Sequence, residues 1–238
     1  MEQGMITRHS KFAIFMHWFN AACWLFLLAT GLGLIDNGTL SPVGTGWPHM
    51  LKQLFNGGGN LLAAHVTVGI TWSLMFLVFA ITNPKKNFIE FVKEIFAISV
   101  KRDLTWLVKK GIIMTCGKQV LEKRNIDAEL PEQGFYNFGQ KLFAIPSLLG
   151  GFLIVATGYL MMVSMWVNIN AQLVQWSIFL HFLMVGLLVA GLVIHIYMAA
   201  IVAEEKPAFF SMFTGKVPID FARHHNSLWF KKISKDEA

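Results

Sequence analysis

Four stretches of this chain, residues 12–35, 61–82, 142–167 and 173–203, contain no Asp, Glu, Lys or Arg. Each is long enough to cross a hydrocarbon core of about 30 Å as a helix. Backbone groups find no water in that core, so a spanning segment must satisfy them within itself, and a helix does so. The expected fold is therefore all-α: an integral membrane four-helix bundle. Apolar residues make up 55% of the chain and charged residues 14%, which excludes an ordinary soluble domain. Only about five residues join the third and fourth runs, so these two must be antiparallel neighbours. An up-down order is the simplest arrangement for the rest. A single transmembrane domain over residues 1–238 is expected, with a long loop at 83–141 and a tail at 204–238.

The basic residues set the expected orientation. Residues 1–11 carry two, 83–141 carry eleven and 204–238 carry six, while the loop 36–60 carries only Lys52 and the connection 168–172 carries none. Lys and Arg accumulate on the cytoplasmic side, so both termini and the loop 83–141 are expected there. The chain reads as a multi-pass protein of the cytoplasmic (inner) membrane. The net charge of +6 follows from this topology and from contact with anionic lipid headgroups; no nucleic-acid motif accompanies it.

The loop 36–60 is rich in Gly and Pro, contains Trp47-Pro48-His49 and reads as an irregular cap on the outer face. In the loop 83–141, Phe91, Ile95 and Ile98, then Leu104, Leu107 and Val108, recur at helical spacing among lysines. An amphipathic interfacial helix fits this pattern, although the stripe is interrupted at 101–103. Cys23 and Cys116 lie in different environments, which argues against a disulfide. Asn20-Ala21-Ala22-Cys23 faintly resembles a lipoprotein cleavage site, but the apolar run continues to Ile35 and contains His17, so this segment is expected to remain as a span. Trp47, Trp166 and Trp176 fall at the expected outer boundary, where indole rings anchor.

His17, His65, His181 and His195 all lie inside the apolar runs. One intramembrane histidine by itself can simply bond a neighbouring carbonyl. Four of them sort by depth into two pairs, His17 with His195 near the inner face and His65 with His181 near the outer face. His181 and His195 are fourteen residues apart, about 21 Å of helix and nearly four whole turns, so one helix offers a ligand at two depths. Imidazoles on both faces of a haem iron leave no open coordination position, which suits electron transfer. Two haems are therefore expected. Zinc fits less well, because neither pair is joined by further Cys, His or carboxylate ligands. Gly31, Gly33, Gly69, Gly150, Gly151, Gly158, Gly186 and Gly191 accompany the histidines, either letting a macrocycle approach or serving close helix packing.

Tyr136-Asn137-Phe138-Gly139-Gln140-Lys141 opens the third run at the level of the inner pair. Asn137, Gln140 and Lys141 offer polar groups for the carbonyls of a quinone, and a helix cap with a snorkelling lysine is the competing reading. His9, His49 and the tail pair His224-His225 lie outside the runs and read as exposed or interface residues.

With these motifs the chain resembles the di-haem cytochrome b (gamma) subunits of membrane-bound respiratory formate dehydrogenases over nearly its whole length. The resemblance rests on His17-Trp18, on Ala64-His65 with Gly69, and on Tyr136 to Lys141. It extends to Leu180-His181, to Ile194-His195-Ile196-Tyr197-Met198-Ala199, and to Gly215-Lys216 and His224-His225 in the tail. It implies two b haems with axial ligands His65 and His181 outside and His17 and His195 inside. It also implies a menaquinone site at Asn137, Gly139, Gln140 and His195. The implied partners are an iron-sulfur beta subunit with a membrane anchor and a molybdenum or tungsten alpha subunit that oxidises formate. The present chain would itself hold no formate-oxidising site and would carry electrons across the membrane. The same cytochrome serving a nickel-iron hydrogenase or a thiosulfate reductase is an alternative. A haem-free anchor or transporter is another, weakened by the lack of matched broken helices.

Overall fold

A computed structural model of the chain describes residues 4–236. The structure is almost entirely helical, and its four long apolar helices coincide with the four uncharged runs. They are α1 (Lys11–Gly33), α3 (Gly58–Thr82), α7 (Phe138–Val163) and α8 (Ala171–Ile196). α8 continues into a π-helical turn, Tyr197–Ile201. Between α1 and α3 lies α2 (Gly46–Leu54). After α3 come a π-helical turn at Pro84–Ile89, α4 (Glu90–Phe96), α5 (Val100–Cys116) and α6 (Gln119–Glu122). The tail forms a 3-10 turn at Ala203–Glu205, α9 (Lys206–Thr214), α10 (Ile219–His225) and α11 (Ser227–Asp236).

Two three-residue strands are the exception to an all-helical fold: β1 (Met5–Thr7) and β2 (Lys216–Pro218) pair antiparallel, with Ile6 opposite Val217. Strands this short leave no period for sequence reading to detect.

Two compact units divide the chain. The apolar unit comprises Lys11–Asn87 and Leu149–Ala190, and the mixed unit comprises Met1–Ser10, Phe88–Leu148 and Gly191–Ala238. α7 and α8 contribute to both.

In the apolar unit α1 packs along α3, with α2 folded against α1. Gly33 marks the closest approach: a Cβ there would lie 2.6 Å from Leu51 Cδ1 and 3.2 Å from Leu61 Cδ2. On Gly150 of α7 a Cβ would meet Met184 Cε of α8 at 2.8 Å. Both glycines therefore serve helix packing, as small residues do where apolar helices gain little from the hydrophobic effect. The Trp47 indole donates to the Ala29 carbonyl at 2.9 Å, fastening α2 to α1, whereas Trp166 and Trp176 are exposed. Polar pairs join the helices further: Trp72 Nε1 donates to Asn20 Oδ1 at 2.8 Å, and Ser73 Oγ lies 2.8 Å from Tyr159 Oη.

The mixed unit is organised by buried polar groups. Val217, Phe221 and Ala222 form its apolar centre, flanked by Ile6, Ala208, Trp229 and Phe230. Arg8 is buried beside it, donating to Asn226 Oδ1 at 2.7 Å and to the Phe135 carbonyl at 2.6 Å, with its guanidinium over the Phe135 and Trp229 rings. Burial pushes the Arg8 pKa down to about 10, against the pull of Tyr136 and Glu205, so it remains a cation at neutral pH. Asp103, fully buried, accepts from the Ser99 N–H at 2.7 Å, from Arg102 and from Gln133.

The helix expected in the loop 83–141 is broken in two at residues 97–99, close to the interruption of its apolar stripe. The carbonyl of Ala97 at the break accepts a hydrogen bond from Lys141 Nζ at 2.8 Å. Lys141 is 1% exposed and so does not snorkel. Ile95 is buried, while Leu104 and Val108 on α5 are exposed. Cys23 is buried and Cys116 exposed, both as free thiols.

Candidate functional site

In the apolar unit His65 projects from α3 and His181 from α8, each half-buried. A threonine on a different helix meets each ring. Thr30 Oγ1 of α1 lies 2.9 Å from His65 Nδ1, and Thr157 Oγ1 of α7 lies 3.0 Å from His181 Nδ1. Each hydroxyl also bonds back into its own helix. Thr30 donates toward the Phe26 carbonyl at 2.8 Å and lies 3.3 Å from that of Leu27; Thr157 donates toward Leu153 at 2.7 Å and lies 3.0 Å from the carbonyl of Ile154.

A glycine follows each threonine and lets the ring lie against the helix. A Cβ on Gly31 would stand 3.3 Å from His65 Cε1, and one on Gly158 would stand 3.4 Å from His181 Cε1. This donor set fits a haem: two imidazoles from different helices, each with Nδ1 held by a hydroxyl, so that Nε2 is the nitrogen left to face a metal.

His195, in the mixed unit, stacks nearly parallel on Phe143 at 4.7 Å between ring centroids. Gly191, one turn earlier, provides room for that ring: a Cβ there would sit 3.0 Å from Phe143 Cδ2. His17, in the apolar unit, meets Trp18 edge-on at 5.3 Å.

Asn137 and Gln140 open α7 as a reciprocal cap. Gln140 N–H donates to Asn137 Oδ1 at 2.9 Å, and Asn137 N–H donates to Gln140 Oε1 at 3.1 Å. This is the capping-box arrangement, with Asn and Gln as its two members. The Phe138 N–H is taken by Gln133 Oε1 at 2.8 Å. Gly139 is exposed, close to Asn137 and to the Trp106 ring. Burial pushes the neighbouring Tyr136 phenol up to about 12, keeping it protonated. Outside the long helices, His9 meets Phe135 edge-on, His225 stacks on Phe221, and His49 and His224 are exposed.

Thr30 and Thr157 escape a reading based on charge and metal ligands, because threonine within an apolar run is unremarkable. A signal does exist. The tripeptide Ala-Thr-Gly occurs at 29–31 and again at 156–158, in the first and third spans. Arg8, Asp103, Gln133 and Asn226 also go unnoticed in sequence, since their importance comes from partners distant along the chain.

A helical protein with four long apolar helices, two of whose imidazoles are each held by a threonine of a neighbouring helix, belongs to the class of membrane cytochromes. More particularly, residues 8–215 match the model of the prokaryotic cytochrome b561 family, and the chain belongs to that family. It is a haem b protein of the membrane.

Among curated proteins, the nitrate-inducible formate dehydrogenase cytochrome b556(Fdn) subunit of Escherichia coli is 26% identical, over 98% of this chain and 94% of that protein. The formate dehydrogenase cytochrome b556 subunit of Haemophilus influenzae is also 26% identical, over 95% and 83%. The Escherichia coli cytochrome b556(fdo) subunit is 21% identical, over 97% and 94%. The likeness to these formate dehydrogenase cytochrome subunits therefore runs nearly from end to end.

Proposed function

We propose that this chain is the di-haem cytochrome b subunit of a formate dehydrogenase complex, passing electrons across the cytoplasmic membrane to menaquinone. The observation that carries the reading is the pair His65 and His181, each held at Nδ1 by a threonine of another helix, in a chain aligned end to end with formate dehydrogenase cytochrome subunits. His65 and His181 would hold the outer haem. His17 and His195 would hold the inner one, as their sequence placement and the family resemblance support. A bound haem supplies one-electron exchange between ferric and ferrous iron.

The amide oxygens of Asn137 and Gln140 are used in capping α7. Their amide nitrogens are donors of the kind a quinone carbonyl needs, and Gly139 between them leaves the backbone accessible. His195 completes the proposed quinone site from α8. Two protons accompany two electrons to a quinone, and both come from the cytoplasm in this reading. Both termini are cytoplasmic, as nineteen of twenty basic residues on one side support. Electrons would enter from an iron-sulfur subunit with a membrane anchor, fed by a molybdenum or tungsten subunit that oxidises formate. Moving one charge against 100 mV costs about 2.3 kcal/mol, so outward entry and inward quinone reduction would conserve the energy of formate oxidation.

The test is purification of the intact membrane complex, with identification of the copurifying subunits and a pyridine haemochrome assay. Two haems per chain and a formate-oxidising subunit are expected. One haem or none would refute the di-haem reading, and a hydrogenase subunit in place of the formate-oxidising one would refute the assignment of partner.

A further inference from the structure

We infer that Thr30 and Thr157 are positioning residues that lock His65 and His181 as Nδ1–H tautomers, with Nε2 presented as the metal ligand. The inference rests on the reading of these two histidines as ligands of one haem.

A threonine hydroxyl carries one proton and two lone pairs. The Thr30 oxygen lies 2.8 Å from the Phe26 carbonyl, and the Thr157 oxygen lies 2.7 Å from that of Leu153. A carbonyl only accepts, so at these distances the hydroxyl proton points back into its own helix. What remains toward the imidazole is a lone pair. The contacts of 2.9 Å and 3.0 Å to Nδ1 are then attractive only if Nδ1 carries the proton. A neutral imidazole has one N–H, so the Nε2 lone pair is left for the metal.

The same helix turn also fixes the plane of each ring. Gly31 and Gly158 stand next to the threonines, and a Cβ there would crowd His65 Cε1 at 3.3 Å and touch His181 Cε1 at 3.4 Å. Each ring is thus slotted between a hydroxyl and a bare backbone.

Both ligands receive this treatment, from α1 in one case and α7 in the other, through the same Ala-Thr-Gly tripeptide. Equal treatment would make the two imidazoles alike as ligands. A hydroxyl accepts more weakly than a carboxylate, so the imidazoles keep their Nδ1 protons and neutral character. Removing the acceptor lowers the basicity of the ligand and favours ferrous over ferric iron, as for other groups that hold ligating histidines.

The experiment uses the full chain in its membrane complex, with Thr30→Val, Thr157→Val, the double change, and Thr30→Ser and Thr157→Ser. Haem content, potentiometric titration of the haem bands and the low-field ferric EPR signals are measured. The Val variants are expected to shift one haem only, to a higher midpoint potential, with a several-fold lower ferric-to-ferrous ratio at a fixed potential. The EPR signal of that haem moves, the double change adds to the shift, and the Ser variants restore both readouts. Loss of that haem in the Val variants with retention in the Ser variants supports the same role. Val variants with the original potential and EPR signals, or loss of haem in Val and Ser variants alike, would overturn it. His65→Ala separates the two readings: if that variant keeps both haems, the ligand assignment itself fails and the threonine role with it.

Discussion

The two compact units solve opposite problems with polar groups. The apolar unit contains only five of the 34 Asp, Glu, Lys and Arg residues, and its long helices are joined by neutral pairs: Asn20 with Trp72, Thr30 with His65, Ser73 with Tyr159, Thr157 with His181. The mixed unit buries charges, Arg8, Asp103, Lys110 and Lys141 among them, and uses them to hold irregular chain together. In hydrocarbon a neutral hydrogen bond joins helices at little desolvation cost, whereas a buried ion is tolerated only with several partners around it. Loss of one side chain should therefore act locally in the apolar unit, through the metal site, and act on folding in the mixed unit.

The largest effect that would break this contrast comes from the histidines. Either His65→Ala or His181→Ala is expected to halve the haem content measured by pyridine haemochrome, with formate-driven quinone reduction abolished and quinone-analogue binding retained. His195→Ala is expected to remove the other haem and the quinone-analogue binding together. The reverse pattern would exchange the two assignments.

Next in size is Arg8→Ala, which strands Asn226 Oδ1 in a buried setting and leaves the Phe135 carbonyl with only the longer bond from Asn226 Nδ2 at 3.2 Å. Hydrogen bonds to charged groups contribute about 1.5–3 kcal/mol each, so a marked loss of thermal stability in detergent is expected, with haem spectra unchanged below the transition. A shift in the haem bands of the folded variant would blur the distinction between the units.

Asp103 gives the same contrast a pH dependence. Burial alone would raise its pKa, but the hydrogen bonds from Arg102, the Ser99 N–H and Gln133 outweigh burial and hold it below the ordinary carboxylate value. Its contribution is present above the unfolded pKa of about 3.9 and is lost as the pH falls through the lower folded value. Acid denaturation curves followed by circular dichroism should show less pH dependence below about pH 4 in Asp103→Asn than in the original chain. Equal slopes would mean that the carboxylate is not what the network stabilises.

Asn137→Ala removes one arm of the α7 cap, worth about 1 kcal/mol. Quinone turnover should fall while both haem bands remain. Full turnover with reduced stability would leave Asn137 as a cap alone. The smallest effect belongs to Glu204→Gln, which disturbs the contact of Lys110 Nζ at 2.6 Å. The Lys110 hydrogen bond holds Glu204 below the usual glutamate range, but the glutamate side chain is 60% exposed. Screening limits such a pair to about 1 kcal/mol or less, measured as the midpoint of a thermal scan.

Much of the architecture was legible because its cause is local. A run with no charge over two dozen residues has few ways to satisfy its backbone, and the four long helices begin and end within a few residues of the expected spans. His181 and His195 lie in one unbroken helix, as their spacing required. The quinone segment was half legible. Asn137 and Gln140 stand three residues apart at a helix start, which is a capping pattern in any sequence, and the structure uses them so. That Lys141 turns inward was not legible, because the carbonyl of Ala97 that receives it lies 44 residues earlier. Arg8 was counted as one more basic residue, although it is buried against Asn226, 218 residues away.

By itself, the sequence determined the four apolar helices and which histidines lie within them, since hydrophobicity and helical rise act over neighbouring residues. Only the tertiary structure decided which hydroxyl meets which imidazole, which lysine turns inward and which arginine holds the tail. Those choices depend on side chains that share no segment of chain, brought together by packing at distances where a hydrogen bond forms or does not.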